Sequence, residues 1–139
     1  FEAYCTNAKI QVRYGGNEAF YVPSKDYIQL PNPQQFKSGV SLSATQWHEG
    51  GHSTGHSSRL DRIKSTRFGS RAYAIEELCA ETISMFMCVE TGETAEPRDD
   101  HAHYVASWLK GLKNDKTLVR KAIASAQKAK DYILETANI

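Results

Sequence analysis

Residues 43–56 read SATQWHEGGHSTGH, and the string His48-Glu49-Gly50-Gly51-His52 inside them decides how the rest of the chain is read. On an α-helix, positions four apart lie on one face, so both imidazoles reach a single metal ion. Glu49 sits one position round, close enough to take a proton from water at that metal without joining its coordination sphere. Zinc suits two imidazole nitrogens and one carboxylate oxygen, with the fourth position left open. Water held there titrates near pH ~7, and Glu49 as general base directs it at a carbonyl. Gly50 and Gly51 argue against a helix kept for packing alone, because each costs a helix interior roughly 1 kcal/mol relative to Ala. Their expected use is to let another backbone come close, either a sheet edge or a substrate.

A third ligand is sought downstream. From Tyr73 to about Val89 a helix is expected, with Ile75, Leu78, Cys79, Ile83, Phe86 and Met87 recurring at helical spacing. The apolar arc centres near Ile75, Phe86 and Cys79. Glu77 and Glu81 fall together on the other side with Ser84, and Glu76 lies on the border. Carboxylates one turn apart can place one group on zinc and let the other orient a ligand histidine. Glu77 is therefore taken as the third ligand and Glu81 as the orienting carboxylate. Glu76 is the fallback ligand, and the plain alternative is two solvated glutamates. His56 follows His52 by four residues, whereas sites of the H-E-x-x-H-x-x-G type place a third histidine six residues on, where this chain has Ser58. His56 is not expected to bind the metal. His101 and Tyr104, with His103 between them, and Tyr73 are candidates to donate to a developing oxyanion. Capping and packing are their ordinary alternatives.

Outward from the motif, Ile10–Tyr14, Ala19–Val22 and Asp26–Leu30 read as short strands, separated by turn residues at 15–17 and 23–24. The segment AFYVPSKDYIQLP reads as an antiparallel pair or meander. Ser41 or Ser43 is expected to cap the motif's helix, which stops near Gly55. A polar, basic loop follows over 56–70. Asp99 or Asp100 is expected to cap a helix carrying Tyr104, Val105, Trp108, Leu109 and Leu112, and a last helix runs from about Lys116 to Leu134. The fold class is α+β: a small N-terminal antiparallel sheet packed on the active-site helix, with about four helices in total.

The 139 residues suit one domain, large enough to bury a core without disulfides. Cys5, Cys79 and Cys88 form no metal-binding pair and read as buried small hydrophobes in a reducing cytoplasm. No apolar run approaches the roughly 20 residues that span a bilayer. The opening Phe1, in place of Met, suggests a piece of a longer protein. The net charge of +1 conceals segregation: eight acids from Glu76 to Asp100 face only Arg98, while Arg59, Arg62, Lys64, Arg67 and Arg71 oppose only Asp61. The last thirty residues carry seven Lys/Arg against three acids. Such runs are usually solvated faces; a nucleic-acid surface is the functional alternative.

Several strings taken together resemble one family. HEGGHSTGHSSRLDR, FGS, YAIEELCAE, HAHYVASWLKGL and AQKAKDYIL, with AFYVPSKDYIQLP, resemble the C-terminal metallopeptidase domain of ArdC/TraC-type antirestriction proteins, over nearly the whole chain. The resemblance implies a zincin-like fold and a longer protein from a mobile genetic element, with a single-stranded-DNA-binding domain upstream. It implies protection of incoming DNA from restriction, and it places His48, Glu49 and His52 on the metal motif and Glu77 at the acidic ligand. Two functions are carried forward. One is a zinc-dependent metallopeptidase of the gluzincin-like H-E-x-x-H type acting on a protein or peptide. The other is a non-proteolytic module that binds DNA or blocks restriction around a structural metal.

Overall fold

The computed structural model describes residues 1–64, 70–93, 105–110, 112 and 115–139. In chain order its elements are α1 (Glu2–Asn7), β1 (Gln11–Tyr14), β2 (Phe20–Val22), β3 (Tyr27–Leu30), a 3-10 turn at Pro33–Gln35, α2 (Gly39–Thr54), α3 (Arg71–Glu90), α4 (helical at 105–110) and α5 (Lys116–Ala137). The expected α+β class, with a small sheet set against the motif's helix, is what the chain adopts.

The sheet runs in the order β1-β3-β2. β2 and β3 are antiparallel, with Phe20 opposite Gln29 and Val22 opposite Tyr27. The antiparallel expectation ends there, because β1 pairs parallel to β3, with Gln11 opposite Tyr27 and Tyr14 opposite Leu30. Gly15 and Gly16, at φ of 132° and 70°, carry the chain away from β1 so that β2 forms on the far side of β3. Alternation along a strand reports which face is buried, not which neighbour lies beside it, so the mixed order was not readable. Ile28 and Leu30 of β3 are fully buried beneath the sheet.

Helix α2 starts earlier than expected. Ser38, not Ser41 or Ser43, is the cap: its hydroxyl accepts from the Ser41 N–H at 3.1 Å, and the Ser41 hydroxyl accepts in return from the Ser38 N–H at 3.2 Å. That reciprocal pair satisfies two donors at the helix start. Gly55 ends the helix, as anticipated.

Helix α3 is capped by Ser70 and packs between α2 and α5. It is consequently buried around most of its circumference, Ala80, Ile83 and Met87 being wholly enclosed. The polar side of the expected wheel faces α2 instead of water, and the Ser84 hydroxyl donates to the Ala44 carbonyl at 2.7 Å. Helix α5 presents Ala122, Ala126, Ala129, Ile133 and Ala137 to the core, small side chains that allow close helix approach, and continues one turn past Leu134. Val105, Trp108 and Leu109 pack on the same core, as the fourth-helix expectation required. Its capping residues Asp99 and Asp100 lie outside the described residues.

Helix α1 went unread because six residues are too few for a periodic pattern. Its Tyr4 is buried and hydrogen-bonds Ser53 on α2 at 2.9 Å, while the Phe1 ring meets Trp47 edge-on at 5.4 Å. Cys5, Cys79 and Cys88 are free and buried, as expected. No helix among the described residues is long and apolar enough to cross a membrane.

Candidate metal centre

Helix geometry sets His48 and His52 one turn apart on α2, ring centroids 4.9 Å from each other. Across from them α3 presents Glu77. His48 Nε2 lies 3.6 Å from Glu77 Oε2, and His52 Nε2 lies 3.4 Å from Glu77 Oε1. One ligand atom from each of the three residues falls within 4.8 Å of the others. Ligands on a tetrahedral zinc at about 2.0–2.1 Å stand about 3.3 Å apart. The observed separations are longer than hydrogen bonds and close to that spacing, so the donor set fits a metal.

The far side of each ring is also held. His48 Nδ1 meets Glu81 Oε2 at 3.0 Å, and His52 Nδ1 meets Glu76 Oε1 at 3.1 Å. A carboxylate can only accept, so each Nδ1 carries the proton, and in the neutral ring each Nε2 lone pair is left facing Glu77. Without a metal the same carboxylates favour the imidazolium. Burial pulls both histidines down, but the neighbouring carboxylates of Glu77 and Glu81 raise His48 to about 9, and those of Glu76 and Glu77 raise His52 to about 10. Burial pushes Glu77 up, and the two histidines outweigh it, holding its carboxyl well below the usual range.

Glu49 is 7% exposed and shares a cleft of about 630 Å³ with the two histidines and Glu77. Phe20 and Tyr21 of β2, Ile63 and Tyr73 also line it. The Tyr73 phenol is raised to about 12 by burial and by Glu77, so its hydroxyl stays protonated near neutral pH. His101 and Tyr104 lie outside the described residues, as does His103. His56 stands apart from the cluster, its Nδ1 paired with the Ser58 hydroxyl at 2.7 Å.

The two glycines of the motif face side chains, not the backbone or substrate expected of them. A Cβ on Gly51 would stand 3.3 Å from three atoms of Ile83 on α3, and one on Gly50 would stand 3.2 Å from the Phe1 ring. Gly51 thus lets α3 approach α2 closely enough for Glu77 to reach the histidines.

Two features escaped the sequence reading. Glu76 orients His52, a role hidden by its place on the border of the apolar arc. Arg62 binds Glu76 through Nε and Nη2 at 2.7 and 2.8 Å. Nothing in the sequence signals that pair, because it joins a loop to a helix across fourteen residues. Among the described residues, several arginines of the basic run already have partners within the chain. Arg59 is bound by Asp26, Tyr21 and the Ser53 carbonyl, and Arg71 pairs with Asp115.

A profile of zincin-like metallopeptidases matches residues 1–126. The chain belongs to this family. Among curated proteins, this zincin-like domain is 41% identical over 132 residues to the uncharacterized protein y4eC of Sinorhizobium fredii, covering 95% of the chain and 43% of that protein. It is 47% identical over 124 residues to a DNA primase TraC of Escherichia coli, covering 88% of the chain and 12% of the primase. The domain therefore spans less than half the length of these relatives. Crystal structures of the antirestriction protein ArdC from the R388 plasmid superpose with TM-scores of 0.82 for the Mn(II)-bound form and 0.80 for the metal-free form. Identity is 39% and 40%, and the match covers 98% and 99% of this chain and about half of ArdC, 51% and 50%. The ArdC/TraC resemblance read from the sequence strings is thus supported.

Proposed function

We infer that this domain is a zinc-dependent peptidase in which His48, His52 and Glu77 hold the metal and Glu49 is the general base. The observation that carries the reading is the convergence of three ligand atoms beside a separate buried carboxylate in one cleft. A purely structural metal has no use for Glu49. When bound, zinc supplies Lewis acidity, lowering the pKa of water toward ~7. Glu49 accepts the proton as water attacks the peptide carbonyl, then returns it to the leaving amine. The Tyr73 phenol donates to the oxygen on which charge develops. Glu76 and Glu81 keep the two rings aimed throughout.

β2 borders the cleft at the end of the sheet order, and an extended peptide can add to such an edge as a further strand. Zinc is preferred to manganese because imidazole-containing sites bind it more tightly along the divalent series. The Mn(II) in the ArdC crystal makes manganese the competing occupant. Protection of DNA, and contact with single strands through an upstream domain, belong to the longer protein in this reading. Free, buried thiols accord with work in the cytoplasm. Internal pairing of Arg59 and Arg62 weighs against DNA coating through those two arginines.

The test is Glu49→Gln, assayed on an unfolded protein such as casein. Zinc content is expected to stay at the parent level while hydrolysis falls by at least about 100-fold. Undiminished hydrolysis would remove Glu49 from the mechanism.

A further inference from the structure

We propose that Arg62 is a positioning residue of the metal centre, setting the orientation of His52 through Glu76. The proposal rests on the reading of His48, His52 and Glu77 as metal ligands. Its geometry is a closed ring. His52 Nδ1 donates to Glu76 Oε1 at 3.1 Å, and the same oxygen accepts from Arg62 Nη2 at 2.8 Å. Arg62 Nε takes the other carboxylate oxygen at 2.7 Å, so the fork fixes the carboxylate plane as well as its position. Arg62 Nη2 also donates to the Gly51 carbonyl at 2.9 Å, one residue before His52. The path from His52 through Glu76 and Arg62 thus returns to the backbone that carries His52.

The arginine is itself fixed. Nη1 donates to the Thr54 hydroxyl at 2.9 Å, and that hydroxyl donates to the Gly51 carbonyl at 2.6 Å. The backbone N–H groups of Arg62 and Ile63 both donate to the Gly55 carbonyl, at 3.0 and 2.9 Å. The loop is therefore tied to the end of α2 at the point where the guanidinium turns inward. Arg62 also sets a positive charge against Glu76, which lines the cleft with Glu49 and Glu77. A lysine would keep the charge but cannot grip both carboxylate oxygens and two acceptors on α2 in one plane. Arg62→Lys consequently separates orientation from charge.

The experiment measures zinc affinity by chelator competition, and the visible absorption spectrum with cobalt as probe, for the parent, Arg62→Lys, Arg62→Met and Glu76→Gln. Far-ultraviolet circular dichroism of the metal-free chains checks folding. Loss of orientation should weaken zinc about 10-fold in both arginine variants and alter the cobalt spectrum. In a Glu76→Gln background, Arg62→Lys should add little. Parent-like affinity and spectrum in Arg62→Lys would overturn the proposal, as would an undiminished effect of that change once Glu76 is gone. If Arg62→Met does not fold, Arg62→Lys and the Glu76→Gln comparison still decide the matter. Zinc retained by His48→Ala would instead sink the metal-site reading, an outcome distinguishable from failure of the Arg62 role.

Discussion

His48 and His52 stand one turn apart on α2 and face the same carboxylate, yet they are held differently. Glu81, within the buried length of α3, backs His48 from inside the helix packing. Glu76 backs His52, and its carboxylate is gripped by an arginine from the loop beyond α2. A helical motif aims both rings for free. What keeps them aimed comes from elsewhere, in one case from the core and in the other from a loop.

The largest effect expected is common to both histidines. His48→Ala or His52→Ala removes a ligand, and zinc affinity measured by competition should fall at least about 100-fold in either. The orienting carboxylates then separate the two sides. Glu81→Gln and Glu76→Gln should each weaken zinc by about 10- to 100-fold. Glu76→Gln should in addition destabilise the metal-free chain by about 3 kcal/mol in urea unfolding, because it strands the Arg62 charge. Equal stability losses in the two variants would erase the distinction.

Acidity offers a third handle. Both histidines titrate higher in the folded metal-free chain, at about 9 and about 10, than the ordinary 6.5 of an unfolded histidine. Their stabilising contribution is complete below pH 6.5 and is lost as pH rises through 9 and 10. Melting temperature in chelator should therefore drop across that window. Zinc should bind more tightly as pH rises from 7, since the metal displaces these protons. A melting temperature that climbs over the same range would contradict the pairing described.

The smallest effect concerns the glycines. Gly51→Ala gains roughly 1 kcal/mol of helix propensity but crowds the fully buried Ile83, and a net loss of about 1 kcal/mol is expected. Gly50→Ala makes one tight contact, 3.2 Å to the Phe1 ring, with Trp47 at an ordinary 3.7 Å, so the gain in helix propensity should leave its stability at or above the parent's.

What was legible in the sequence was what repeats along one element. The H-E-x-x-H spacing, the apolar period of α3 and the strand-like segments each announce themselves within a dozen residues. Glu77 and Glu81 could be singled out because they share a side of one helix, and the structure brings both to the histidines. Glu76 could not be told from a border residue, because its role depends on Arg62 arriving from another segment. The parallel pairing of β1 and the docking of α1 are equally non-local, and no period carries them. The basic run shows the converse: its charges are countable in sequence, while Asp26 and Glu76, which pair with Arg59 and Arg62, lie in other segments of the chain.

Metal content is the most direct test of the central claim that His48, His52 and Glu77 form one metal site. Elemental analysis of the purified chain after zinc addition and desalting, beside Glu77→Ala, should give about one zinc per parent chain and little in the variant. A full equivalent of zinc retained in Glu77→Ala would show that the third ligand is another residue and contradict the site as described.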